Sequence, residues 1–236
     1  MNEMHNLLAE GLTALNLSAD KADKLEQYAA LLLEQNKVMN LTAITDPVEV
    51  AQKHMLDCAA LLGIPELAGK RKLIDVGTGA GFPGVVLGIC QPELEITLLD
   101  SLNKRLDWLK TVGEALNVPL TTVHARAEEL GRKPEYREQF DVATARAVAD
   151  LRMLSELCLP YVKVGGVFLA MKAENCQEEV DSAARAIQLL GGRLRPAYTY
   201  AIPGTDLTRK VIVIEKIAPT PEKYPRRFAK IQKGLL

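Results

Sequence analysis

Aromatic residues are scarce in this 236-residue chain: one Trp, six Tyr and four Phe. Cysteine and histidine are scarcer still. The four cysteines (Cys58, Cys90, Cys158, Cys176) form no C-x-x-C pair, so a disulfide framework and a zinc ribbon have no support in the sequence. They read as reduced thiols of a cytoplasmic protein. The three histidines (His5, His54, His124) lie far apart, and no metal site is expected. No apolar run approaches the roughly 18–20 residues of a membrane span. The first ten residues carry two glutamates and no Lys or Arg, so no secretory leader is expected.

What remains is ordinary globular material, 48% hydrophobic and 25% charged. A chain of this length buries a sizeable core without a metal or disulfide. The net charge of −1 hides an asymmetry. Residues 209–236 hold eight Lys/Arg against Glu215 and Glu222, which is +6, leaving −7 on residues 1–208. A basic end on an acidic body points to a polyanion partner, although a merely solvated terminus would look the same.

The first 70 residues have helical periodicity. Leu25, Tyr28, Ala29 and Leu32 fall on one helix face. A second helix is punctuated by Asp46 as N-cap, Pro47 at the first helical position and Glu49 three residues after the cap. Its stripe is Ala51, Met55, Cys58 and Leu62, with Gly63 as the stop, and residues 36–42 between the helices read as a polar turn. From residue 70 onward strands and helices alternate. Strands are expected at 73–76, 96–99, 120–123, 142–145 and 167–171, and a hairpin at 197–202 and 210–217 across Pro203-Gly204-Thr205-Asp206. The expected fold is α/β: a mostly parallel seven-stranded sheet with an antiparallel edge hairpin. The expected division is a helical extension (1–69), an α/β domain (70–218) and a basic tail (219–236).

The most informative segment runs from Leu73 to Gly84, where a strand enters Gly77-Thr78-Gly79-Ala80-Gly81 and then a helix start. Glycines permit positive φ and close approach of a ligand to backbone, and the helix start offers N–H groups to an anion. Gly79 and Gly81 are therefore expected to leave no room for a side chain beside a ligand. Asp100 closes the next strand, where doubly wound sheets meet a ribose. Asp75, just before the glycines, is typical of S-adenosylmethionine sites. Gly79 to Gly84 also satisfies G-x-G-x-x-G, so a nicotinamide-dependent oxidoreductase stays open. No Tyr-x-x-x-Lys pair accompanies it. Ala127-Glu128 after the third strand and Arg146 at the end of the fourth should lie at the same ligand-binding edge. Lys172, ending the fifth strand, should face a substrate, and His54 and Asp57, three apart on one helix, are placed to orient each other.

Taken together, Asp75 to Gly84 and Leu98 to Arg105 resemble the small-subunit ribosomal RNA methyltransferase G family, also called glucose-inhibited division protein B. The resemblance extends to residues 36–42, 53–57, 155–172 and 224–227. The chain departs from it at Gln35, Lys53 and Cys58 and over residues 228–236. The resemblance implies a Rossmann-like methyltransferase fold. It also implies transfer of a methyl group from S-adenosylmethionine to N7 of one guanine in the 530 loop of bacterial 16S rRNA. It places cofactor positions on Gly77, Phe82, Ala127, Glu128 and Arg146, beside Gly79, Gly81 and Asp100. Guanine N7 has a free lone pair and no proton, so no acid or base is assigned. Arg146, Lys172 and His54 are candidates for positioning the base. The partner is 16S rRNA or the small ribosomal subunit, with no membrane, and the protein is expected to be a cytoplasmic monomer. A non-catalytic RNA-binding or cell-division adaptor is the remaining alternative.

Overall fold

A computed structural model describes residues 3–69, 71–146 and 149–236. Lys70, at the expected start of the α/β domain, and Ala147, in the segment after Arg146, lie outside the described residues. Helix α1 (Glu3–Ala14) and α2 (Ala22–Met39) lead the chain. All four stripe residues of α2 are buried, but the helix runs through half of the segment expected to be a turn and stops at Asn40, which is left-handed at φ 50°. Asp46 caps the next helix as its spacing requires, accepting from the Glu49 N–H at 2.9 Å. That helix changes pitch along its length. It is α-helical over Pro47–Val50 (α3), π-helical over Ala51–Leu56 and α-helical again over Asp57–Ala59 (α4). The wider π turn brings His54 and Asp57 inward together with the apolar stripe, and both are buried.

Strands β1 (Lys72–Val76), β2 (Glu95–Asp100) and β3 (Leu120–His124) alternate with α5 (Gly84–Cys90) and α6 (Asn103–Leu116). A single-turn α7 (Ala127–Leu130) precedes β4 (Phe140–Arg146), α8 (Leu151–Cys158) and the long β5 (Val162–Ala173). Next come α9 (Gln177–Leu189), β6 (Gly192–Leu194), β7 (Tyr198–Ala201), β8 (Thr208–Lys216) and α10 (Phe228–Lys233). The strand order is β3-β2-β1-β4-β5-β8-β6, with β7 also on β8. Pairing is parallel from β3 to β5 and antiparallel at β8. The expected hairpin is present as β7 and β8. The sheet has eight strands rather than seven, because the edge position beside β8 is shared: β6 pairs with residues 214–216 and β7 with 208–211. Arg195 keeps one ladder bond to Val213 O at 2.9 Å in the gap. Three residues are too short a run to announce a strand.

Alternation along β5 explains the layering. Val167, Leu169 and Met171 enter a core shared with the first two helices, the π segment, α5 and α6. Phe168 and Ala170 enter a second core with α8, α9 and Ile231 of α10. The N-terminal helices thus have no core of their own. Tyr28 on α2 donates a hydrogen bond to Ala80 O inside the glycine loop.

The C-terminal segment is clasped to the body rather than free. Arg226 donates through its backbone N–H, its Nε and its Nη2 to the buried Glu156, at 2.8, 2.9 and 2.6 Å. Arg132 and Arg137 donate to carbonyls of Lys223, Tyr224, Pro225 and Thr220. Lys216, wholly buried, donates to Leu159 O, Val162 O and Thr220 Oγ1 and pairs with Glu138. Two of the eight basic residues are thereby neutralised or buried. Arg227, Lys230 and Lys233 stay exposed. No helix among the described residues is long and apolar enough to cross a membrane.

Candidate functional site

Strand order reverses between β1 and β4, and outside their carboxyl ends lies a cleft of about 870 Å³. The glycine loop forms its floor. Gly77 and Thr78 donate to Leu99 O at 2.8 and 3.0 Å, tying the loop to β2. Gly79, at φ 60°, donates to Asp100 Oδ2 at 2.9 Å. A Cβ built on Gly79 would meet nothing nearer than Gly77 O at 3.9 Å, so this glycine faces open cleft.

Gly81 does not. It is absent from the cleft lining, and a Cβ there would lie 2.6 Å from Tyr28 Oη and Val85 Cγ2 and 2.8 Å from Leu109 Cδ2. The close approach expected from a ligand is made here by the protein's own side chains. The helix start is likewise occupied. Asp75, fully buried, accepts from the Gly84 N–H at 2.9 Å and from Thr78 Oγ1 at 2.7 Å, which closes the first turn of α5 to an anion. Burial raises the Asp75 carboxyl to about 6.

Asp100 is 4% exposed and already braces the loop, accepting also from the Leu102 N–H at 2.9 Å, with Arg105 at 3.5 Å. It lines the cleft together with Ala127 and Glu128, and each of its oxygens has capacity for a further hydrogen bond. Glu128 is buried and accepts from Arg126 Nε at 3.2 Å. The same guanidinium carbon sits 4.3 Å over the ring of Phe228, brought in by the C-terminal segment.

The opposite wall is built around Arg146. Its Nη1 donates to Lys53 O at 3.1 Å and to Asp57 Oδ2 at 3.4 Å, and its Nη2 lies 3.1 Å from His54 Nδ1. The guanidinium lies 4.6 Å over the Phe82 ring, on which His54 also stacks at 4.7 Å. His54 and Asp57 therefore do not orient each other directly: the arginine stands between them. Tyr200 on β7 donates to Asp57 Oδ1 at 2.8 Å, fixing its other oxygen. Burial raises the Asp57 carboxyl, with Arg146 opposing. Burial pulls the Arg146 guanidinium down, but the neighbouring Cys58 and Asp57 leave it above its ordinary value. Lys172 lines the cleft but is tied to Ala149 O at 2.9 Å and to Glu179 at 2.5 Å.

His54 is held neutral. Burial, then the adjacent Arg146, lowers it to about 4. His54 Nδ1 lies 3.1 Å from both Arg146 Nη2 and Lys53 O, and Nε2 lies 2.7 Å from Thr42 Oγ1. In the unfolded chain this imidazole protonates below about 6.5. The stability it lends is complete above that pH and is lost as pH falls toward 4. Asp75, raised by burial, works in the opposite sense, so the comparison must be with a variant. The stability gap between wild type and His54→Gln should narrow steadily from pH 6.5 to 4.5 in urea melts. A gap that stays constant would remove His54 from the acid response.

The sequence does not single out several cleft residues as site residues, although the resemblance reaches Leu41 and Thr42. Leu41, Thr42 and Ile44 reach it because Asn36 folds the loop after α2, its Oδ1 accepting from the Leu41 and Thr42 N–H groups at 2.6 and 2.9 Å. Tyr200 and Arg209 come from the edge hairpin, and Phe228 from the far end of the chain. Among the described residues no cluster of His, Cys, Asp and Glu could hold a metal ion.

The family model described as rRNA small subunit methyltransferase G matches residues 21–200. The ribosomal RNA small subunit methyltransferase G of Acetivibrio thermocellus is 47% identical, over 99% of this chain and 97% of its own length. That of Alkaliphilus metalliredigens is 45% identical over 95% of each. Among solved structures, a methyltransferase from Pyrococcus furiosus superposes with a TM-score of 0.56 at 12% identity, covering 80% of this chain and 95% of that one. Precorrin-6y C5,15-methyltransferase from Geobacter metallireducens gives 0.51 at 15% identity, covering 67% and 87%. At these identities the structures speak for the fold alone: a Rossmann-like methyltransferase sheet.

Proposed function

The chain belongs to the rRNA small subunit methyltransferase G family, and from that membership we propose that it methylates 16S rRNA at N7 of a guanine in the 530 loop, with S-adenosylmethionine as donor. The observation that carries the cofactor half of this reading is the shape of the cleft floor. Gly79 turns an open face to a cleft of about 870 Å³, and two buried carboxylates, Asp100 and Glu128, border the same space. A nucleoside with ribose hydroxyls fits those acceptors: Asp100 would accept from the ribose, and Ala127 and Glu128 would border the base. The cofactor supplies an electrophilic sulfonium methyl.

The rest is work for the chain's own residues. Guanine N7 carries a lone pair and no proton, so no group must take one. This agrees with a wall in which Arg146, His54, Asp57 and Tyr200 are committed to one another. Such a frame positions; it does not titrate during the reaction. Its contribution is to hold the base edge in line at near-attack distance. Arg146 and His54 are the positioning residues of this reading, and Lys172, tied to Glu179, supports the rim. The target base must leave its stack to enter the cleft. Exposed Arg227, Lys230 and Lys233 suit contact with the phosphates around it. Arg226, committed to Glu156, is withdrawn from that role.

The test is methyl transfer from labelled cofactor to 30S subunits, and separately to naked 16S rRNA, both from a strain lacking this gene. The modified base is then mapped and the methylated atom identified. Incorporation at N7 of one 530-loop guanine is expected. No transfer to either substrate, or transfer to another atom, overturns the reading.

A further inference from the structure

We infer that Phe228 contacts the cofactor directly, stacking on its adenine base, so that the C-terminal segment forms part of the cofactor site. The inference rests on the cofactor reading above. Among the described residues Phe82, Tyr200 and Phe228 are the phenyl and phenol rings that border the cleft. Phe82 is 5% exposed, its ring covered by Tyr28, His54 and Arg146. Tyr200 is 8% exposed and stacks on Tyr198. Neither has a face to offer. Phe228 is only half-buried and lines the cleft; Arg126 lies over its ring, but among the described residues it meets no other ring.

Its place in the cleft follows from its partner. Arg126 stacks on Phe228 and pairs with Glu128, and Arg126 is the residue immediately before Ala127. Phe228 therefore stands at the end of the cleft bordered by Ala127 and Glu128, away from the Arg146 wall. That is the end assigned to the purine. A purine has an extended π-face, and stacking on an aromatic ring is the apolar contact that suits it.

The ring is held by construction rather than by chance contact. Two residues before it, Arg226 makes three hydrogen bonds to Glu156, which is 1% exposed. Three residues after it, Ile231 is fully buried. Between these two anchors the ring has little freedom to leave the cleft. A rigid aromatic wall binds without the entropy cost of ordering a loose one.

The experiment measures binding of S-adenosylhomocysteine and of 5′-methylthioadenosine to the full chain by calorimetry. It compares wild type with Phe228→Ala, Phe228→Leu and Phe228→Tyr. Both ligands carry the adenine, so both should weaken by on the order of tenfold in the Ala and Leu variants. The Tyr variant, which keeps the ring, should bind within about twofold of wild type. Leu preserves apolar bulk, so a purely structural role would be satisfied by Leu and Tyr alike. Thermal melts taken alongside show whether the segment stays docked. Wild-type affinity in Phe228→Leu overturns the inference, as does an Ala variant within twofold. If the wild-type chain binds neither ligand, it is the cofactor reading that fails.

Discussion

Gly79→Val should abolish cofactor binding in a chain that folds almost as well as wild type, whereas Gly81→Val should destabilise the fold itself. The two glycines are two residues apart and both have positive φ, 60° and 92°. They differ in what surrounds them. At Gly79 a Cβ enters open cleft, so a valine costs roughly 1–2 kcal/mol of backbone strain and projects its methyls into the space proposed for the cofactor. At Gly81 the same atom falls within 2.8 Å of Tyr28, Val85 and Leu109, all buried and none free to withdraw. Overpacking added to the strain should cost about 3 kcal/mol or more. Circular dichroism, urea melts and calorimetry with S-adenosylhomocysteine separate the outcomes. Equal behaviour of the two variants, in either direction, would contradict this division of the loop.

The second large effect is expected at Arg146. Arg146→Met leaves the Asp57 carboxylate buried with only Tyr200 and, at 4.0 Å, Arg209 beside it, and removes the guanidinium beside His54 Nδ1. Breaking such a buried pair from one side costs about 3–5 kcal/mol. Stability and activity should fall together. Arg146→Lys separates them. An ammonium keeps the charge but cannot reach Lys53 O, Asp57 and His54 in one plane. The fold should hold while methyl transfer drops on the order of a hundredfold through misplacement of the base. A lysine variant with wild-type turnover would show that charge alone suffices there.

The features that were legible in the sequence share a physical cause. Strands β1, β2, β4 and β5 are mostly buried apolar runs bounded by turn residues, the edge strand β3 is a half-exposed one, and Asp46-Pro47 is a local signal with local consequences. Gly77, Gly79 and Asp100 were legible because a strand, a turn and the next strand fix their mutual positions within one β-α-β unit. The remainder depends on long-range packing. The π turn at Ala51–Leu56 has the same composition as an α turn, so the rotation that turns both His54 and Asp57 inward left no trace. The pairing of Arg226 with Glu156 joins residues 70 apart and turns an apparently free cation into a structural one. Gly81 looked like a ligand contact because a glycine excluded by the protein's own side chains reads the same as one excluded by a ligand.

One consequence of the sheet order concerns how the molecule comes into being. Strand β8 is made after all the other described strands, yet it lies between β5 and the shared edge of β6 and β7. Until it arrives, β5 presents the unpaired edge of a long apolar strand, and β6 and β7 have no neighbour to join. A polypeptide stopped before Thr208 would carry that open edge permanently, a template for pairing with other chains. Prematurely ended copies are thus marked by their own surface as sticky. A copy that includes β8 hides the mark by inserting that strand into the sheet and locking it with the clasp that follows.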